Sequence, residues 1–196
     1  MIAMQPLVRE CPQRRIGNGA KDTMTRRTDR ERAAPGASLS REIHILWAGR
    51  RERDSWELLC RDYRGRIARF LPIKEQIVRV PMVKNDRKRQ MLEGEALLAA
   101  IASPGWVIAL DRRGRQLSSE KFAERLAAIR EQWPHPVIFV LGSDLGLDDR
   151  LLESARERLS LGRMTLPHNL ARLTLYEQIY RALSIGVGTR YHREPL

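Results

Sequence analysis

The stretch "WVIALDRRGRQLSSEKFAERLAAIREQWPHPVIFVLG", Trp106 to Gly142, decides the fold. It opens on the apolar run Trp106–Leu110, a buried-type strand that ends in a charged turn at Asp111. Ser118 and Ser119 then offer N-caps to a helix on which Phe122, Leu126 and Ile129 fall at helical spacing. "VIFVLG" (Val137–Gly142) is again apolar up to its closing glycine. Two strands apolar on both faces, joined by a helix, predict neighbours in a parallel sheet with helices packed on it.

The same alternation extends outward. Upstream, "EIHILWAG" (Glu42–Gly49) reads as a strand, followed by a helix carrying Trp56, Leu59, Tyr63, Ile67 and Phe70. "IVRVP" (Ile77–Pro81) is expected to be a strand, with a helix after it around Met91, Leu92, Leu98 and Ile101. Downstream, Leu151, Leu152, Ala155 and Leu159 predict another helix. The last helix carries Leu170, Leu173, Tyr176, Ile179, Tyr180 and Leu183 on one broad face, with Pro167 fixing its start and Asn169 expected as N-cap. The pattern predicts an α/β fold, a mainly parallel sheet with helices on both faces. Ligands of such sheets lie at the carboxyl ends of the strands. The site is therefore expected at the turns after Leu110, after Leu141 and around Leu161–Leu166.

Composition bounds the rest. The chain has 196 residues, 42% hydrophobic and 31% charged, as in a soluble globular domain. Residues 1–38 lack apolar periodicity and contain Pro6, Pro12 and Pro35. They are expected to be disordered, or an upstream extension with Met24 as an alternative start, leaving one domain over 40–196. No secretory signal or membrane span is visible. Cys11 and Cys60 make no paired framework, which points to a reducing cytoplasm. The net charge is +12, of which +8 falls outside the first forty residues. A basic fold of this kind suits a polyanion, nucleic acid ahead of a membrane surface.

Several chemistries are excluded by inspection. The chain has no G-x-G-x-x-G, no P-loop, no H-E-x-x-H and no G-x-S-x-G. His44, His135, His168 and His192 lack metal-ligand spacing, so no metal is expected. In "GSDLG" (Gly142–Gly146) the glycines permit a tight turn or close approach to a ligand, and Asp144 could cap the next helix. The loop "LGRMTL" (Leu161–Leu166) offers main-chain groups and aliphatic walls, which suit a flat heteroaromatic such as adenine. The tail "GTRYHREPL" (Gly188–Leu196) clusters Arg190, Tyr191, His192 and Arg193, able to bind phosphate and stack a base, or simply to fray in solvent.

In order and spacing, "ALD" (Ala109–Asp111), "LSSEKFAERL" (Leu117–Leu126), "VIFVLGSDLGL" (Val137–Leu147), "LSLGRMTLPHNLARLTLYEQIYRALSI" (Leu159–Ile185) and "YHRE" (Tyr191–Glu194) resemble one family. It is the bacterial large-subunit rRNA pseudouridine methyltransferase H (RlmH) family, of the SPOUT class. The resemblance runs from about Glu42 to Glu194. It implies a C-terminal trefoil knot, which pattern reasoning alone does not predict. It also implies S-adenosylmethionine as methyl donor, a homodimer, and methylation of N3 of pseudouridine 1915 in 23S rRNA of the assembled ribosome.

By motif, the cofactor positions carry over to Leu110, Gly142, Leu161, Gly162, Arg163, Met164, Thr165 and Leu166. Tyr191, His192 and Arg193 are expected to meet the RNA, with His192 the candidate base for the N3 proton. The chain departs from the family at Ser143, where a second glycine is usual. Two alternatives remain: a noncatalytic RNA- or ribosome-binding protein that has lost donor binding through Ser143, and a Rossmann-like small-molecule enzyme without its glycine fingerprint.

Overall fold

The computed structural model describes residues 42–50, 54–80, 83–101 and 104–188. The anticipated extension, residues 1–38, and the tail residues Tyr191, His192 and Arg193 lie outside them.

Five strands form one sheet: β1 (Ile43–Ala48), β2 (Ile73–Val78), β3 (Trp106–Gln116), β4 (Val137–Leu141) and β5 (Glu157–Ser160). Their order is β2-β1-β4-β3-β5 and every pairing is parallel. β4 lies in the middle and is buried along its whole length, as its uniform apolarity demands. Side-chain alternation divides the core in two. Ile43, Ile45, Trp47, Phe139 and Leu141 point to one face, beneath α1 (Ser55–Ile67), α3 (Ser119–Gln132) and α5 (His168–Gly186). Leu46, Ala48, Val107, Ile138 and Val140 point to the other, beneath α2 (Asp86–Ala100) and α4 (Asp149–Ser154).

This two-sided arrangement creates the site. The chain leaves β3 for α3 on one face and leaves β4 for α4 on the opposite face. Adjacent strands whose connections part in this way open a crevice at their carboxyl ends.

Helix starts follow local chemistry. Asp54, Asn85, Ser118 and Asp148 each accept a main-chain N–H from the first turn of α1, α2, α3 and α4. α5 differs, because Pro167 is its N-cap and gives no side-chain bond; Asn169 is already helical rather than the cap. Asp144 does not cap α4 but pairs with Arg89.

Two strands depart from the sequence reading. β2 begins at Ile73, four residues ahead of the expected start, and ends before Pro81. It is an edge strand whose first half carries Lys74, Glu75 and Gln76 in succession, so no apolar run marks its start. Leu159 belongs to β5 and not to a helix, because α4 closes at Ala155 and Arg156 N–H then bonds the Val107 carbonyl. The helical spacing of Leu151, Leu152, Ala155 and Leu159 arises by coincidence, where a short helix runs almost directly into an edge strand.

Candidate functional site

The turns after β3, β4 and β5 converge on a cleft of about 770 Å³, within the size range of small-molecule sites. Leu110, Gly142, Leu161, Gly162, Met164, Thr165 and Leu166 all line it. Arg163 is exposed and is not part of the lining, so its side chain leaves the wall to its neighbours. Pro167, His168 and Ala171, from the start of α5, close one side.

β3 builds its wall through an irregularity. Leu110 and Arg115 both pair with Leu159, so residues 111–114 loop out of the ladder. Gly114 lets this excursion return, since a Cβ there would stand 2.7 Å from the Arg158 main chain. Within the loop Arg113 N–H donates to Asp111 Oδ1 (2.7 Å) and its guanidinium reaches both carboxylate oxygens. The Arg113 hydrogen bonds hold the Asp111 carboxyl below the usual carboxylate range. Asp111, Arg112 and Arg113 thus join the cleft wall, a role the sequence signals only through their place after an apolar strand.

The turn after β4 is the tightest part. Gly146 has φ of +76° and its N–H bonds the Ser143 carbonyl (3.1 Å). Gly142 passes against this turn, where a Cβ would stand 2.3 Å from the Gly146 carbonyl carbon. The Ser143 hydroxyl donates to Glu93 Oε2 on α2 (2.6 Å). Gln90 of α2 donates to the Leu145 and Leu147 carbonyls (2.9 and 3.2 Å). Nothing in the sequence marks Gln90 or Glu93 as loop-holding residues, because their partners lie fifty or more positions away.

His168 lines the cleft beneath the third turn. Its ring sits 5.2 Å from that of Trp47, and its Nε2 is buried without a hydrogen-bond partner among the described residues. Burial lowers its pKa below 6.5, with the nearby Arg172 charge adding to the effect and a Gly142 main-chain bond opposing it. A histidine depressed on folding adds stability above its unfolded pKa and loses it as pH falls through the folded value. Imidazole NMR should show His168 titrating below 6.5. The His168→Gln variant should lose the part of the acid-side stability decline that this group contributes. A normal midpoint would show that the ring is hydrated. Among the described residues no group of His, Cys, Asp and Glu could hold a metal ion.

Comparison with known proteins by sequence gives the family. The family model described as "Predicted SPOUT methyltransferase" matches residues 41–192. Ribosomal RNA large subunit methyltransferase H of Solidesulfovibrio magneticus is 36% identical over 150 residues, covering 76% of this chain and 97% of that protein. The protein of the same name from Rhodospirillum centenum is 42% identical over 135 residues, covering 69% and 88%. Among solved structures, a probable methylase family protein from Haemophilus influenzae aligns with TM-score 0.44 and 15% identity, over 80% of this chain and 71% of that one. The SpoU methyltransferase AviRb from Streptomyces viridochromogenes, in complex with AdoMet, aligns with TM-score 0.39 and 16% identity, over 76% and 59%. By sequence, the chain belongs to the ribosomal RNA large subunit methyltransferase H family of SPOUT methyltransferases.

Proposed function

We propose that the chain transfers a methyl group from S-adenosylmethionine to N3 of pseudouridine 1915 in 23S rRNA, acting as a cytoplasmic homodimer on the assembled ribosome. The observation that carries this reading is the convergence of the three turns, with Leu110, Gly142 and Leu161–Leu166, on one cleft in a chain of this family. The domain responsible runs from residue 40 to 196.

The cleft suits the donor. Leu110, Leu161, Met164 and Leu166 provide aliphatic walls for a flat ring, and the turns provide main-chain groups for its edges. Asp111, Asp144 and Asp149 balance the neighbouring arginines, so a sulfonium meets no uniformly positive wall. When bound, S-adenosylmethionine supplies the electrophilic methyl. The protein then contributes orientation, which is worth up to about 7–11 kcal/mol in favourable cases. We assign the convergence of the turns to a C-terminal segment threaded as a trefoil knot.

Removal of the N3 proton needs a base, and general-base help is worth roughly 10²–10⁴-fold. His192 takes that role in this reading, with Tyr191 and Arg193 positioning the nucleotide. A second subunit is supported by α1, where Trp56, Leu58 and Leu59 remain exposed. Nothing favours the noncatalytic alternative, because the Ser143 hydroxyl is engaged by α2.

The decisive experiment is mass spectrometry of 23S rRNA from cells lacking the gene. The expected result is a pseudouridine without its methyl, restored by the wild-type gene. Full methylation in the deletion strain would end the reading.

A further inference from the structure

We infer that Glu93 and Ser143 are positioning residues for the methyl donor: together with Arg89 and Gln90 they clip the turn after β4 onto α2 and set the donor pocket before any ligand arrives. The inference rests on the methyltransferase reading above.

The contacts form one continuous seam. Arg89, Gln90, Glu93 and Gly94 lie on adjacent positions of α2 and all face residues 143–148. The Ser143 hydroxyl donates to Glu93 Oε2 (2.6 Å) and at the same time accepts the Leu145 N–H (3.3 Å). Glu93 is 7% exposed, an unusual position for a carboxylate unless it is paired. Arg89 Nε lies 3.5 Å from its other oxygen, and the same guanidinium pairs with Asp144 at the tip of the turn. Gln90 satisfies the carbonyls of Leu145 and Leu147. Gly94 lets the helix approach closely, since a Cβ there would meet Asp148 Cβ at 2.5 Å.

These polar groups of the turn thus have their partners on α2, while the other side of the turn lines the cleft. A turn fixed in this way spends little free energy on ordering when a ligand binds. If the clip is removed, the turn populates other arrangements, and the apparent dissociation constant rises by the inverse of the competent fraction. The chemical step, once donor is bound, is unchanged. A residue that served only overall stability would lower the melting temperature without this division.

The test compares purified full-length wild type, Glu93→Leu, Glu93→Gln and Ser143→Ala. Calorimetry gives the S-adenosylmethionine dissociation constant, and methylation of ribosomes at saturating donor gives kcat. Glu93→Leu is expected to weaken donor binding roughly tenfold with kcat within about twofold. Glu93→Gln keeps an acceptor for Ser143 and is expected to recover most of the loss. Ser143→Ala should weaken binding roughly threefold and quicken amide exchange at Leu145 and Gly146.

A folded Glu93→Leu protein with wild-type donor affinity overturns the clip. Should that variant not fold, unchanged affinity in Ser143→Ala overturns it instead. Wild-type protein giving no saturable heat overturns the methyltransferase reading and this inference together, whereas wild-type binding with unaffected variants overturns only the inference.

Discussion

Gly142→Ala is expected to lower S-adenosylmethionine affinity about a hundredfold, equivalent to about 2.8 kcal/mol. The added Cβ would stand 2.3 Å from both the carbonyl carbon and oxygen of Gly146 and 2.8 Å from the Leu147 nitrogen. These are main-chain atoms, so no rotamer change relieves the overlap. The turn must move as a unit, and it is held by Gln90, Ser143 and the bond from Gly146 N–H to Ser143. Overpacking commonly costs ~1–3 kcal/mol in stability, and a backbone neighbour places this site toward the upper end. The displaced residues are those that wall the cleft, so binding suffers beyond the loss of stability.

Gly65→Ala is the control. Position 65 lies within α1, and a methyl group added there would meet nothing within 4 Å. Alanine should stabilise the helix by roughly 0.5–1 kcal/mol with donor affinity unchanged. Donor calorimetry and thermal melts of both variants check the pair. Gly142→Ala protein that binds donor as wild type does would mean that the turn is not the wall of the donor site.

The contrast between these glycines shows what sequence carries and what it does not. β1, β3 and β4 were legible because a strand buried on both faces must be apolar throughout, and the loops at their ends followed from the parallel arrangement. Leu110 and Gly142 were therefore found at strand ends, Leu161–Leu166 was found as the loop before the last helix, and all but Arg163 line a common cleft. The first half of β2 and the whole of β5 were hidden because edge strands expose one side and tolerate Lys74, Gln76 and Arg158. Their polar residues have no local pattern, since pairing is decided by a distant neighbour. The same reason concealed Gln90 and Glu93: a polar residue on a helix reads as solvated surface until the loop that it holds is in place. Ser143, read as an intrusion at a glycine position, has a partner that only the fold supplies.

The largest loss of stability is expected from Glu75→Leu, about 4 kcal/mol, because that carboxylate compensates a buried cluster of donors. Its side chain is 2% exposed and accepts from Trp47 Nε1 (3.1 Å) and the Tyr176 hydroxyl (2.9 Å), while pairing with Arg64. Arg172, equally buried, holds Glu57 (3.0 Å), lies 3.9 Å from Glu75 and stacks its guanidinium 4.3 Å from the Trp47 ring centroid. Burial, with Glu75 reinforcing it, raises the Tyr176 hydroxyl far above its ordinary value, so it remains a donor at any physiological pH. Leucine at 75 would leave two guanidinium groups short of a counter-charge and two neutral donors unpaired in an apolar setting.

Arg172→Met should cost less. Its Nε and Nη1 have no hydrogen-bond partners among the described residues, so part of its desolvation is already uncompensated. Glu75 would keep Arg64, Trp47 and Tyr176 in its absence. The expected order of urea midpoints is wild type, then Arg172→Met, then Glu75→Leu, with slopes unchanged if only stability is altered. The cluster also bears on the cleft: Arg172 lies one turn after His168 on α5, and Trp47 contacts both. Loss of Glu75 should therefore loosen the helix start that closes one side of the cleft. Equal midpoints for Glu75→Leu and wild type would show that water already satisfies these charges, and the wall behind His168 would then owe its order to apolar packing alone.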